Sequence, residues 1–292
     1  MKKVLLLLTA LILLSGITYS QTTTGQPGRP GNPGPPKNPG KGNNSNHKTQ
    51  LGYSSINSVL YNSVESDISG SSLMTPSAWA TSGKFAFATI GGTPAQTYSK
   101  EYPVRQDHDL LAQVGFGFGD SRKFISLVNI LNINDVSTFD NFSYSVIASR
   151  WLSKNSSISA GALHLFADAD KTDAGPSYYV AYSQGINSKL SYTVGVGSNR
   201  FYNNSEYDLL EGKKEHGTAL FANLSYEVVN NINVTAEWTG LNLCFSSGIK
   251  IAPKLPIISL GVADVTRLSG DRPTFYVSLG QALTFNKATQ QK

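Results

Sequence analysis

The residues best suited to chemistry in this sequence are charged and amide side chains at alternate positions in its C-terminal third. In an extended strand, residues two apart point to the same side. By this spacing, six polar side chains share one face of three consecutive predicted strands. They are Asn223, Glu227, Asn233, Glu237, Asn242 and Lys250.

Two interpretations of this polar face remain open from the sequence. If the strands enclose a lumen, carboxylates and an amine there select solutes by charge, as rings of charged side chains do in channels. Alternatively, the same groups form a buried polar network that braces a narrow interior, since buried charges need partners or water. Both interpretations place Lys250 near a carboxylate.

No residue pattern indicates a metal, a cofactor or nucleic acid. Cys244 is the single cysteine, and no Cys/His cluster has the spacing of a zinc site. The segment 201–214 carries several carboxylates, but their spacing matches no calcium loop. The net charge of +5 is small and dispersed. We therefore expect no metal, no cofactor and no nucleic-acid partner.

Strands are the elements that must position these side chains. About twelve segments alternate apolar with small or polar residues, the period-two pattern of strands. Most have 9 to 12 residues, the length that crosses a bilayer obliquely. The segments are 84–92, 109–119, 123–133, 141–151, 156–166, 177–185, 189–199, 217–228, 232–239, 242–252, 256–265 and 274–285.

The connections between these segments alternate between long and short, with one exception at Gly240-Leu241. Outer-membrane barrels have long outer loops and short periplasmic turns. A secreted β-sandwich would also alternate, but it would carry charge on one face, whereas this face is mostly Gly, Ser, Thr, Ala and Asn. The sequence therefore predicts an all-β fold, a closed antiparallel transmembrane β-barrel of about twelve strands.

The N-terminal part has a different composition from the barrel. Residues 1–20 have the basic start and short apolar core of a signal peptide. Residues 21–50 are rich in Pro and Gly and are predicted to be a disordered leader. Residues 51–82 fit a linker, an extra strand or a small plug. Residues 83–285 form the predicted barrel, and 286–292 a short tail.

Membrane location follows from this organisation. With an even number of strands, both termini are expected in the periplasm. The expected partners are outer-membrane lipids and the barrel-assembly machinery, together with a possible periplasmic partner of the leader. The aromatic residues expected at the membrane interfaces are Trp151, Tyr178, Trp238, Phe275 and Phe285.

The barrel region also resembles a group of functionally uncharacterised, porin-like bacterial outer-membrane β-barrels. The resemblance rests on the runs 236–243, 251–257 and 261–266 and on Phe116-Gly-Phe-Gly-Asp120, and it covers about residues 83–285. It implies a fold and a location but no activity.

Three functions are therefore considered. The first is a small porin-like channel or solute-binding barrel. The second is a structural or adhesive barrel that binds a partner through its loops or leader. The third is a lipid-modifying enzyme, which would need a Ser/His pair at the lipid surface. His164 is predicted to face lipid on the same side as Ile158 and Ala160, but no nucleophile motif flanks it.

Overall fold

The computed structural model describes residues 72–94, 109–167, 175–205, 208–209, 212–252, 255–270 and 272–285. The predicted signal peptide, the leader, most of segment 51–82 and the tail lie outside these residues. The strands are β1 (Phe85–Thr93), β2 (Asp109–Gly119), β3 (Ser126–Asp135), β4 (Asp140–Ser153), β5 (Ser156–Leu165), β6 (Ser177–Gly185), β7 (Leu190–Gly197), β8 (Leu220–Val229), β9 (Ile232–Trp238), β10 (Leu243–Ile249), β11 (Ile257–Ala263) and β12 (Thr274–Thr284).

These twelve strands form one closed antiparallel barrel. Each strand pairs with its neighbours in sequence, and β1 pairs with β12 from Phe85↔Thr284 to Gly92↔Val277. The predicted closed barrel of about twelve strands is confirmed. Within the described residues, no helix is long and apolar enough to cross a membrane.

The two faces of the barrel wall differ in composition, as the period-two pattern predicts. The outward face carries exposed apolar side chains. Representative members are Phe116, Leu131, Val180, Val194, Leu224, Val234, Phe245, Leu260 and Val277. The lumen face carries small and polar side chains that are almost fully buried. Representative members are Ser149, Ser157, Ser183, Thr193, Ser225, Thr235, Ser259 and Ser278.

Aromatic rings on the lumen face lie over glycines of neighbouring strands. A Cβ atom on Gly161 would lie 2.2 Å from the ring of Tyr179, and one on Gly195 would lie 2.2 Å from the ring of Phe221. The Phe201 and Phe221 rings stack with centroids 4.7 Å apart, and the Tyr179 and Phe221 centroids are 6.0 Å apart. The glycines therefore make room for the rings that fill this part of the lumen.

The two ends of the barrel differ in the length of their connections. One end carries the shorter turns, among them Lys154-Asn155 and Asn230-Asn231, and the other carries the longer ones, of which 198–219 is an example. β1 begins and β12 ends together at the short-turn end, where the Phe285 amide donates to the Lys84 carbonyl over 2.9 Å.

The packing of rings on glycines leads to a stability prediction. We expect Gly161→Val to lower the free energy of unfolding by about 1–3 kcal/mol, because the new side chain would overlap the Tyr179 ring. The urea midpoint of the detergent-folded barrel measures this. The matched control is Ala160→Val, because Ala160 is the exposed neighbour on the outward face. Equal midpoints for both variants would contradict the packing argument.

Candidate functional site

The barrel lumen contains a carboxylate that the chain encloses completely. β9 places Glu237 on the lumen face, where the residue is only 1% exposed. Its carboxylate accepts hydrogen bonds from the backbone amides of Leu73 (2.9 Å), Met74 (2.9 Å) and Thr75 (2.7 Å). The Thr75 hydroxyl donates over 2.9 Å, and the Ser246 hydroxyl donates as well.

Three consecutive N–H groups directed at one carboxylate form an anion-binding concavity in the backbone. A carboxylate in a closed interior is costly unless it is hydrogen-bonded, and hydrogen bonds to a charged acceptor are stronger than neutral ones. Within the described residues, no Lys, Arg or His forms an ion pair with Glu237. The amides of residues 73–75 therefore provide most of the stabilisation that this charge requires.

Residues 72–81, here called the inner segment, continue across the lumen from Glu237. The segment contains no strand residue, and its hydrogen bonds reach side chains on several strands of the wall. Contacts with β5, β6, β8 and β9 can be made together only from inside the barrel. Besides the Glu237 contacts on β9, they are Asn223 Nδ2 to Thr75 Oγ1 (2.9 Å), Ala78 N to Ser183 Oγ (2.8 Å) and Ser159 Oγ to the Ser77 carbonyl (3.4 Å).

The inner segment ends near the short turns of the barrel. Trp79 packs on Trp151 with ring centroids 5.7 Å apart, and the Arg122 guanidinium lies 5.4 Å from the Trp151 ring centre.

The prediction that Trp151 lies at the membrane interface is therefore wrong. Trp151 is only 7% exposed because its position in β4 has the same parity as the lumen-facing Ile147 and Ser149.

The other predicted interface aromatics lie outside the lumen. Tyr178 and Phe275 are exposed on the outward face, and Phe285 is exposed just after β12. Trp238 is half-buried on the outward face, where its indole N–H donates to the Thr218 hydroxyl over 3.1 Å. These four residues are placed near the ends of strands.

The structure brings together only part of the predicted polar face. Asn223 lies beside the inner segment. Asn233 is also buried on the lumen face, where its amide donates to Ser225 (2.8 Å) and Thr235 (3.0 Å). Glu227 sits near the short turn and accepts from the Asn231 amide over 2.8 Å.

Asn242 and Lys250 lie at opposite ends of β10. Asn242 belongs to the β9–β10 turn, where its side chain accepts from the Thr239 hydroxyl and the Cys244 thiol. It is half-buried and precedes β10, which begins at Leu243, so it lies at the end of the wall and not beside Glu237. Lys250 follows the end of β10 and is half-buried. In the register of β9 and β10, Glu237 lies opposite Cys244. Lys250 is six residues beyond Cys244, which places it about 20 Å along the strand from Glu237.

A second polar group of the lumen extends over five neighbouring strands. The Thr89 hydroxyl donates to Gln113 (3.2 Å), whose amide donates to Asn132 (2.9 Å). Asn132 in turn donates to the Ser143 hydroxyl (3.1 Å), and Ser143 contacts His164 Nδ1 at 3.0 Å. All of these side chains are buried, so the group forms a continuous hydrogen-bonded ladder along the wall.

The prediction that His164 faces lipid is wrong. His164 is 4% exposed and faces the lumen, because its backbone adopts a φ of 51° and the β4–β5 pairing shifts register between Tyr144 and Val146. Such a bulge turns a side chain to the opposite face. The Ser143–His164 contact therefore lies inside the wall and away from the lipid-facing surface.

The β7–β8 connection lies at the long-loop end, and its described residues are 198–205, 208–209 and 212–219. Its Phe201 is buried over Gly197. Three hydrogen bonds join it to the β11–β12 connection, residues 264–273. They are Gly270 N to Asp208 Oδ1 (2.6 Å), Ser269 Oγ to Asn204 Oδ1 (3.0 Å) and Lys213 Nζ to the Arg267 carbonyl (2.8 Å).

Asp264 lies at the base of this joined pair of loops. Its Oδ1 accepts from the amides of Leu268 (2.9 Å) and Ser269 (3.3 Å). Burial, assisted by the nearby Asp208 carboxylate, raises the pKa of Asp264 to about 7, although the two amide hydrogen bonds and Lys213 act in the opposite direction. The described residues include no group of three or more acidic, His or Cys side chains that could hold a metal.

The sequence left residues 51–82 open between a linker, an extra strand and a small plug. Residues 72–82, the part of that range that the structure describes, supply the amides that enclose Glu237. The available signal was Glu237 itself, because a carboxylate on a lumen face requires donors from somewhere in the chain. The sequence does not indicate which segment supplies them.

Comparison with known proteins adds little beyond the fold. No protein-family model and no curated protein matches the chain. A solved KdgM porin is 11% identical over 69% of this chain and 99% of that one, with a TM-score of 0.38. Outer membrane phospholipase A from Escherichia coli is 9% identical over 72% of this chain and 94% of its own, with a TM-score of 0.36.

A triple mutant of Rhodopseudomonas blastica porin is 13% identical over 60% of this chain, with a TM-score of 0.31. The match covers 55% of that porin, so this chain corresponds to about half its length. Similarity at this level carries no functional information.

The position of Asp264 leads to a pH prediction. An aspartate with an ordinary pKa of about 3.9 in the unfolded chain and a raised pKa in the folded protein stabilises the fold most at acidic pH. This contribution declines as the pH rises from about 4 to 7, so the joined loops should open more readily at pH 8 than at pH 5.

Hydrogen-exchange protection of the Leu268 and Ser269 amides, corrected for intrinsic exchange, tests this prediction. Asp264→Asn retains an acceptor for both amides and should make their protection independent of pH. The same pH dependence in the variant and the wild type would refute the role of Asp264.

Proposed function

We propose that the protein is an integral outer-membrane barrel that acts as a porin-like channel for small hydrophilic solutes. The observation that carries the proposal is the contrast between the faces of one closed barrel. The outer face is predominantly apolar, while the inner face carries hydroxyls, amides and glycines together with buried aromatic rings. A transmembrane barrel presents apolar side chains to lipid and polar ones to its lumen.

The exposed outer face supports the membrane location. Side chains such as Phe116 (54% exposed), Val196 (50%) and Leu220 (61%) would form an apolar patch far larger than a soluble monomer normally exposes. In a bilayer these side chains contact lipid in place of water. The closed sheet leaves no unpaired strand edge in the hydrocarbon. Tyr178, Phe275 and Phe285 then lie where interfacial aromatic residues are found.

The orientation follows from the connections. In outer-membrane barrels the short turns face the periplasm. The common end of β1 and β12 therefore faces the periplasm in this proposal, with the joined long loops outside. Phe285, at the end of the last strand, is the aromatic signal that we expect the barrel-assembly machinery to recognise.

The filled lumen favours a second candidate, a structural or adhesive barrel without conductance. The inner segment and the rings of Phe85, Phe87, Tyr179 and Phe221 occupy the lumen, and their residues are almost fully buried. For the third candidate, a lipid-modifying enzyme, the Ser143–His164 contact gives no support. Its hydroxyl is hydrogen-bonded to Asn132 and lies on the lumen face.

Electrical recording distinguishes the first two candidates. We expect the purified, refolded protein to produce discrete current steps in planar bilayers and to admit small sugars into vesicles, because much of its inner wall carries hydroxyl and amide side chains. Folding is checked by the heat-dependent change in electrophoretic mobility of a barrel. Detergent without protein is the control.

If the folded, inserted wild type and a Glu237→Gln variant both give no current and no solute flux, the channel proposal is rejected. That result would support the structural candidate.

A further inference from the structure

We propose that the inner segment is a displaceable plug, that Glu237 is the latch that holds it, and that the same carboxylate makes the open lumen favour cations. This inference depends on the proposed channel function. It assigns to one residue both the closing of the channel and its ion preference.

The contacts of the inner segment are suited to release. None of residues 72–81 belongs to a strand, so the segment takes no part in the backbone ladder that holds the wall together. Its polar anchors are hydrogen bonds to side chains, which water can replace when the segment leaves. Its apolar anchors are two small contacts, Trp79 on Trp151 and Leu73 in the cluster with Cys244. The wall strands remain fully paired without it, because β1 joins β2 and β12 along its length.

Glu237 is the point where these contacts concentrate. Its carboxylate receives four of the segment's hydrogen bonds, all within 2.9 Å, from residues 73–75. Asn223 donates one hydrogen bond to the segment, and Ser183 accepts one from it. Hydrogen bonds to a charged acceptor are stronger than those to a neutral one. Loss of the Glu237 charge therefore weakens binding of the inner segment to the wall more than loss of any other described partner.

The hinge for such a movement lies at Gly83, between the inner segment and β1. Gly83 has a φ of +85°, and a Cβ atom placed there would meet nothing within 4 Å. The chain therefore turns here with a backbone conformation that glycine adopts without strain. The Gly83 N–H donates to the Gly119 carbonyl over 2.8 Å, so this residue is the fixed end of the hinge. β1 begins two residues later, so movement of the plug leaves the barrel seam intact.

Cation preference follows from the same chemistry. In the closed state, the three amides occupy the position from which positive charge would balance Glu237. When they leave, the carboxylate remains in a narrow lumen among neutral neighbours, Asn223, Thr235 and Ser246. A fixed negative charge in a narrow passage raises the local concentration of cations and lowers that of anions.

The first experiment removes the latch charge. We expect Glu237→Gln to raise the open probability about ten- to hundredfold, which corresponds to loss of charge-assisted hydrogen bonds. In a KCl gradient the reversal potential of a cation-selective pore lies towards the K⁺ equilibrium potential. In Glu237→Gln it should move from there towards zero. Glu215→Gln removes the same charge from an exposed loop position and is the matched control, with no expected change in either quantity.

The second experiment locks the plug. Leu73 packs in one buried cluster with Cys244, the only cysteine of the chain, together with Ala263 and Tyr276. In Leu73→Cys, a mild oxidant such as copper phenanthroline should join the two thiols and abolish the current, and a reductant should restore it. Leu73→Cys combined with Cys244→Ser should remain insensitive to both reagents. Mass spectrometry establishes that the cross-link has formed.

The outcomes separate this inference from the channel proposal. If the wild type, Glu237→Gln and the cross-linked protein all conduct equally, the channel stands and the plug is rejected. If Glu237→Gln leaves the reversal potential unchanged, the cation assignment is rejected. If no variant conducts, the channel proposal fails, and this inference fails with it.

Discussion

The pairing of β1 with β12 is the contact on which the rest of the structure depends. It removes both edges of the sheet, so every strand has two neighbours and the wall separates two environments. Once the sheet is closed, each side chain faces either outward or into a confined lumen. The apolar exterior, the small inner residues and the rings seated on Gly161 and Gly195 all follow from this division.

Closure of the sheet also determines which partners the Glu237 carboxylate can have. A carboxylate on the outward face would lie among apolar side chains, and one on the lumen face must find donors within a small volume. The wall supplies the Ser246 hydroxyl, and the inner segment supplies three amides. The position of the inner segment is therefore tied to one charge, whereas the strands are held by the backbone ladder.

The sequence predicted the wall well because strand parity is a local property. The twelve predicted segments match the observed strands closely, and Asn223, Asn233 and Glu237 lie on the face that their spacing indicated. Failures occurred where a local rule does not apply. His164 lies after a register shift, and Trp151 was placed by residue type alone, without the parity that directs it into the lumen.

A small plug was one of three alternatives for residues 51–82, but its pairing with Glu237 could not be predicted, for a different reason. Its principal contact joins Leu73 to Glu237 across 164 positions of sequence, and it has neither a strand pattern nor a helical one. Only the position of the donors in space identifies them as the partners of the carboxylate.

The short connection between the inner segment and β1 has a kinetic consequence. Three residues separate Thr81 from Phe85, so the Thr81 end of a displaced plug remains within roughly 15 Å of the start of β1. Its return to Glu237 is an intramolecular reaction with a high effective concentration. Reclosure should therefore be first order, with a rate set by the tether and independent of how many copies of the protein occupy the membrane.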